Sequence, residues 1–422
     1  MILILLSFLF PTLTLLSILI YVFMNWNKEF YIKSKKIFLI FGYIFGVYGY
    51  SMSFSSEVEN DLTRYFLQIQ ELHGLSLSKI FALDTDKLYV KDILFYFVEK
   101  TGNVHLLPFI VGFIIYSIVF YILFDTIERS KRKFRISETF MLAIIAISIL
   151  SPYTIISNTR CVLAYVLITF ALYRFIVQKK RNLLTLSLYI LPIWLHSSSI
   201  IVILIGFVCL FINSFSKISL ILALSLSTLI DLAHSNVSKF NIAIIGPILT
   251  NAINKAYYYL HWTEGGWATE VENSVSSNLN RFVGSIFLIL IIILIFKYCK
   301  KNKNIEEKKM KKKTYFESKF INYLYFIAIF ALGCLSIKTG AFWRFESIVL
   351  LFSPVILIYV LENNESFIKY FKLLFLFCFG MFFVNIIYQM RNMNFSLTMY
   401  NYLICNGFKI FIEIIKGLIN IL

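Results

Sequence analysis

Long apolar runs separated by short basic clusters set the pattern of this chain. The first run, Met1 to Phe23, carries no charge and is long enough to cross a ~30 Å hydrocarbon core. It has neither a basic start nor a small-residue cleavage pattern, so a retained span is expected, not a cleaved signal peptide. Further runs predict about twelve transmembrane helices, near 1–23, 37–55, 105–124, 138–157, 160–177, 183–195, 197–213, 218–233, 281–297, 320–337, 345–361 and 371–390. The expected fold is all-α: a single polytopic integral membrane domain over residues 1–422.

The stretch 183–213 tests that count. As one straight helix it would run ~46 Å, far more than a bilayer needs. Two crossings fit better, with the break at "LPIWLHSSS", where Pro192 weakens the helix and serines satisfy freed backbone groups. The first arm then rises only ~20 Å. His196 is accordingly expected below the outer surface, in a protein-lined or watered cavity.

Charge orients the spans. The loops 24–36, 125–136, 174–182, 213–217, 297–319 and 362–372 hold roughly two thirds of the 40 lysines and arginines, the positive-inside signature. They are expected in the cytoplasm, with the N-terminus and the long loops 56–104 and 234–280 outside. The net charge of +17 therefore belongs to membrane loops, and no nucleic-acid partner is expected. The 6 cysteines show no CxxC or zinc spacing, which implies neither a disulfide framework nor a metal site. No acidic pair with Mg²⁺-ligand spacing appears, and no metal or cofactor is predicted.

Two amphipathic patterns stand outside the spans. "EVENDLTRYFLQIQELHG" (57–74) reads as a helix in the first outer loop, with Asp61 three residues before Arg64 and four before Tyr65. In the tail (402–422), Lys409, Glu413, Lys416 and Asn420 share one helical face with apolar residues around the rest. An interfacial helix or a thirteenth span with an inward polar stripe fits that pattern.

Arg160, Arg281 and Arg344 begin spans on the outer side, and Arg64 lies in the outer loop. Any one of them is explained by snorkelling at a membrane edge. Several facing one compartment favour an anionic ligand, and a guanidinium fork suits a diphosphate. Asp61 either forms a local ion pair, orients Arg64 or acts on a hydroxyl. Tyr257, Tyr258, Trp262 and Trp267 in the second outer loop suit sugar faces or an interfacial belt equally, and Tyr65 joins the sugar-binding candidates. His196 is either a packed, hydrogen-bonded histidine or a base or phosphate donor.

The arrangement resembles the EpsG family of Wzy-like polysaccharide polymerases. "NDLTRYF" is similar to the family's D-x-x-R-Y element, and "DILFYFVEKTGNVHLLPFIVGFIIYSIVFYILF" to the amphipathic stretch entering the next span. "NTRCVLAYVLITFALYRFIVQKKRNLLTLSLYILPIWLHSSSIIVIL" resembles its arginine-to-histidine stretch, with Cys161 where members often carry Gln. "AFWRFESIVLLFSP" resembles its late arginine-led span. The resemblance implies a GT-C-like membrane glycosyltransferase that polymerises O-antigen, capsule or exopolysaccharide repeats. It implies a glycan chain moving from polyprenyl diphosphate to the terminal sugar hydroxyl of another lipid-linked oligosaccharide. The implied place is the bacterial inner membrane, with the site facing periplasm or cell exterior and a flippase and a chain-length regulator as partners. Arg64, Arg160, Arg281 and Arg344 would hold the diphosphate, with His196 or Asp61 as the base.

Two other classes compete. A flippase or transporter needs arginines along a full-depth path between repeated halves, and no internal repeat is seen. An O-antigen ligase or membrane acyltransferase shares an outer site but uses a different acceptor.

Overall fold

The computed structural model describes residues 10–30, 36–54, 61–211, 226–236, 246, 250–251, 253–254, 257, 282–296, 312–334, 341–405 and 407–421. Among these residues the regular structure is helical, apart from an isolated backbone bridge between Glu29 and Arg135. In chain order the helices are α1 (Pro11–Met24), α2 (Ile37–Ser51), α3 (Asp61–Glu71), α4 (Leu77–Leu83), α5 (Tyr89–Thr101) and α6 (Leu106–Arg129). Then follow α7 (Ile136–Ser148), α8 (Pro152–Ser157), α9 (Thr159–Ile176), α10 (Leu183–Ile190), α11 (Ser199–Phe211) and α12 (Leu226–Ser235). The last are α13 (Phe282–Phe296), α14 (Lys312–Gly333), α15 (Ala341–Asn363), α16 (Ile368–Asn392), α17 (Phe395–Ile404) and α18 (Gly407–Ile421).

The all-helical class is the one expected. Among the described residues, four stretches are long and apolar enough to cross a membrane: Leu106–Arg129, Thr159–Ile176, Arg344–Asn363 and Ile368–Ile386. Shorter apolar helices occupy other predicted spans, so helix length alone carries four of the twelve expected crossings. The predicted span 138–157 is two helices, α7 and α8. Ser151 caps α8 by accepting from the Thr154 N–H at 3.0 Å, and Pro152 takes the first helical position, where its missing N–H costs nothing.

The chain divides into two compact units. The first comprises Met1–Thr85, Tyr89–Val166 and Leu357–Leu422; the second comprises Asp86–Leu88 and Leu167–Ile356.

In the first unit α2 lies flush on α6. A Cβ at Gly42 would sit 1.9 Å from the Ser117 hydroxyl, and one at Gly49 would sit 2.4 Å from the Pro108 carbonyl. Only glycine allows that approach. Rings fill the seam beside it, with Phe45 stacked on Tyr116 at 3.9 Å and Phe41 on Phe120 at 4.3 Å. Where α7 stops, the Asn385 amide of α16 donates to the carbonyls of Ser148 (2.7 Å) and Ile149 (3.0 Å), groups the helix no longer satisfies.

The C-terminal helix α18 packs Ile410 and Gly417 onto α5 and the turn after it, and two residues of its polar stripe find partners there. Glu413 accepts from the Tyr50 hydroxyl (2.9 Å) and the Asn103 amide (3.0 Å), and Asn420 donates to the Lys100 carbonyl at 2.7 Å. A Cβ at Gly417 would meet Thr101 Cγ2 at 2.4 Å. Phe408, Ile412 and Ile419 stay exposed on the other side.

The second unit is joined by similar means. The Thr169 and Tyr323 hydroxyls meet at 2.9 Å, and Tyr173 packs edge-on against Phe320 at 5.2 Å. The helix that opens at Leu183 leaves α geometry at Leu191–Trp194, and α11 begins at Ser199.

Candidate functional site: an arginine held against a tyrosine

Arg160 follows two breaks in the chain. After α8, Asn158 donates to the Thr154 carbonyl at 2.9 Å and the Thr159 hydroxyl to the Ile156 carbonyl at 2.8 Å. These bonds lock the turn that starts α9, so Arg160 leaves a fixed backbone. Its guanidinium carbon lies 4.6 Å from the centre of the Tyr65 ring, a cation–π distance. Tyr65 is buried and braced by Phe95 of α5, with ring centres 5.6 Å apart. The Arg160 Nε is shielded from solvent and has no hydrogen-bond partner among the described residues. An unmatched buried donor costs about 1–3 kcal/mol, more when charged, so this N–H calls for an acceptor from outside the described residues.

α3 presents the rest of the D-x-x-R-Y element. Leu62, Tyr65 and Ile69 form its buried face. Asp61 and Arg64 pair with each other on the outer face, and the Arg64 side chain is 58% exposed. That pair stabilises little in itself. Both its members nonetheless sit within one turn of Tyr65.

Of the sequence-predicted site residues, the first unit thus unites Asp61, Arg64, Tyr65 and Arg160. His196, Tyr257 and Arg344 belong to the second unit. His196 serves the turn at the broken helix. Its Nδ1 lies 2.6 Å from the Ser198 hydroxyl and accepts the Ser198 N–H at 3.3 Å, while Ser199 donates to the Pro192 carbonyl at 3.0 Å. The Tyr257 ring stacks on His234 at 3.7 Å, which covers one of its faces. Arg344, half-buried, stands in the first turn of α15. Arg281, Tyr258, Trp262 and Trp267 lie outside the described residues.

Sequence reasoning passed over two titratable groups. Glu346, inside the apolar run of α15, is fully buried, and neither carboxyl oxygen has a hydrogen-bond partner among the described residues. Gly284 makes room for it, since a Cβ there would fall 1.7 Å from Oε1. The signal was present, because an ionisable residue within a span is a functional candidate by default. The other is His105, just before α6, with a solvent-shielded Nδ1 that likewise has no partner among the described residues. Among the same residues, no three His, Cys, Asp or Glu side chains gather as metal ligands would.

These features define an all-helical membrane protein that keeps a fixed, undersatisfied guanidinium beside an aromatic ring, an arrangement suited to an anion. The family comparison agrees. The chain matches the family model described as the EpsG family over residues 52–403, and it belongs to that family. It is accordingly a membrane protein of polysaccharide biosynthesis. Neither the comparison with curated proteins nor that with solved structures finds a match.

Proposed function

We propose that the protein polymerises lipid-linked glycan repeats on the outer face of the bacterial inner membrane. A growing chain leaves polyprenyl diphosphate and joins the terminal sugar hydroxyl of a second lipid-linked repeat. The observation that carries this reading is the Arg160 guanidinium, fixed against Tyr65 with a buried N–H to spare. As the bond from sugar to diphosphate lengthens, negative charge grows on the departing phosphate oxygen. A guanidinium already in place stabilises that charge without reorganising. Arg64, Arg281 and Arg344 are the further candidates for holding the diphosphate. A flippase and a chain-length regulator serve as partners before and after the transfer. The exposed apolar side of α18 rests in the outer interface of the bilayer.

The test is reconstitution. In proteoliposomes, the purified protein should convert lipid-linked single repeats into a ladder of longer glycans without nucleotide sugars. A flippase would move the substrate without lengthening it, and a ligase would lengthen only a foreign acceptor. Folded protein that makes no ladder from its native substrate overturns the reading.

A further inference from the structure

We propose that His105 is the proton acceptor for the sugar hydroxyl that attacks in the transfer; the assignment rests on the polymerase reading above. Three observations lead there. The first is placement. Tyr65 and Phe66 are successive residues of α3: Tyr65 meets the Arg160 guanidinium, and Phe66 meets the His105 ring with centres 5.3 Å apart. One turn of α3 therefore lies against both the cation and the imidazole. The second is the free nitrogen, the shielded Nδ1 already described. The third is the setting. Half-buried Phe54 links Phe66 (6.4 Å) to Tyr153 (6.1 Å), a run of rings beside the imidazole of the kind that packs on sugar faces.

The backbone that carries the imidazole is also fixed. Asn103 accepts the His105 backbone N–H at 2.9 Å through its side-chain oxygen, and its amide donates to the Tyr50 hydroxyl (2.9 Å) and to Glu413 (3.0 Å). The charged and titratable groups that face the ring are Tyr50 from α2 and Lys409 and Glu413 from α18. Burial holds the imidazole below its ordinary pKa, Glu413 acts in the opposite sense, and Lys409 adds to the lowering. The neutral, proton-accepting form is the resting one. His196 and Asp61 are less free, since one serves the Ser198 turn and the other pairs with Arg64.

In the step itself, the acceptor hydroxyl gives its proton to His105 Nδ1 as its oxygen bonds to the anomeric carbon. The bond from that carbon to the diphosphate oxygen breaks, and its electron pair leaves with the polyprenyl diphosphate beside Arg160. The imidazolium returns its proton to solvent or to the released diphosphate.

The experiment compares wild type, His105→Ala, His105→Gln and the control His73→Ala in the ladder assay, each purified and checked by gel filtration and thermal melt. His73 is a highly exposed histidine, 90% accessible, just after α3. General-base loss predicts a fall of about 10²–10⁴-fold for both His105 variants and none for His73→Ala. The wild-type rate should fall on the acid side, below the ordinary histidine range, and that limb should vanish in the residual activity of His105→Ala. Added imidazole should restore part of the His105→Ala rate. Near-normal activity in a folded His105 variant, or an unchanged acid limb, overturns the assignment and leaves the polymerase reading intact. Loss of fold in both variants assigns the residue to packing and also overturns it. Absence of a ladder from wild type overturns both readings together.

Discussion

Helix α9 carries an arginine near each end, and the two are treated differently. Arg174 is 9% exposed, and its donors are matched: Nε to the Thr185 hydroxyl at 3.1 Å and Nη2 to Asn182 at 3.3 Å. Asn182 caps α10 with the same oxygen, accepting the Thr185 N–H at 3.1 Å. Arg174 is therefore one member of a cap. Arg160, equally fixed, has an aromatic face and an unmatched Nε. Two arginines of the first unit also have carboxylate partners, Arg129 pairing with Asp125 at 2.7 Å and Arg132 with Glu138 at 2.6 Å. Among the described residues, Arg160 thus keeps a shielded Nε without a partner where Arg174, on the same helix, has its donors matched.

That contrast can be broken most forcefully by exchanging each arginine for lysine. Arg160→Lys keeps the charge but loses the planar fork and the stacked plane, so glycan extension should fall at least a hundredfold at normal membrane yield. Arg174→Lys should leave extension within a few-fold while lowering the melting temperature, because it strands Thr185 and Asn182. Equal behaviour of the two variants in extension and melting would erase the distinction. Tyr65→Leu sharpens it at smaller scale. The apolar volume is kept and the ring removed, so a desolvated cation–π contact of about 2 kcal/mol should cost extension on the order of thirtyfold. An effect under twofold would mean that the Arg160 geometry does not depend on the ring.

The smallest effect probes the support behind Tyr65. At the start of α5, Lys91 bridges Asp84 (3.3 Å) and Asp92 (3.0 Å). Burial pushes the Asp92 carboxyl up to about 6, outweighing Lys91, while Asp84 adds to the rise. The folded state therefore holds this proton more tightly than the unfolded chain. Its contribution is fully present below the unfolded pKa near 3.8 and is lost as pH rises through about 6. Asp92→Asn stays neutral throughout, so its melting temperature relative to wild type should rise between pH 4 and pH 8. A difference constant over that range would place Asp92 in an ordinary solvated setting.

Local chemistry made some of this visible in the sequence and hid the rest. Pro192 and the following serines announce the break before α11, and the 409–413–416–420 spacing defines one face of α18. Asp61, Arg64 and Tyr65 share a short helix, as their spacing required. The α7–α8 break was masked because Ser151–Pro152, a good cap, sits inside a strongly apolar run. Spacing also defines a face without naming what meets it. Nothing near Arg160 in sequence points to Tyr65, nothing near Tyr257 points to His234, and nothing around Glu346 points to Gly284.

The bond between Glu413 and Asn103 joins residues 310 positions apart. At ~5–20 residues per second, the ribosome needs roughly 15–60 s to travel that distance. During that interval the early helices are already entering the membrane, yet the turn ahead of His105 lacks the carboxylate that secures it. The turn ahead of His105 is therefore complete only once translation has passed residue 413, so its rigidity is a property of the finished chain alone.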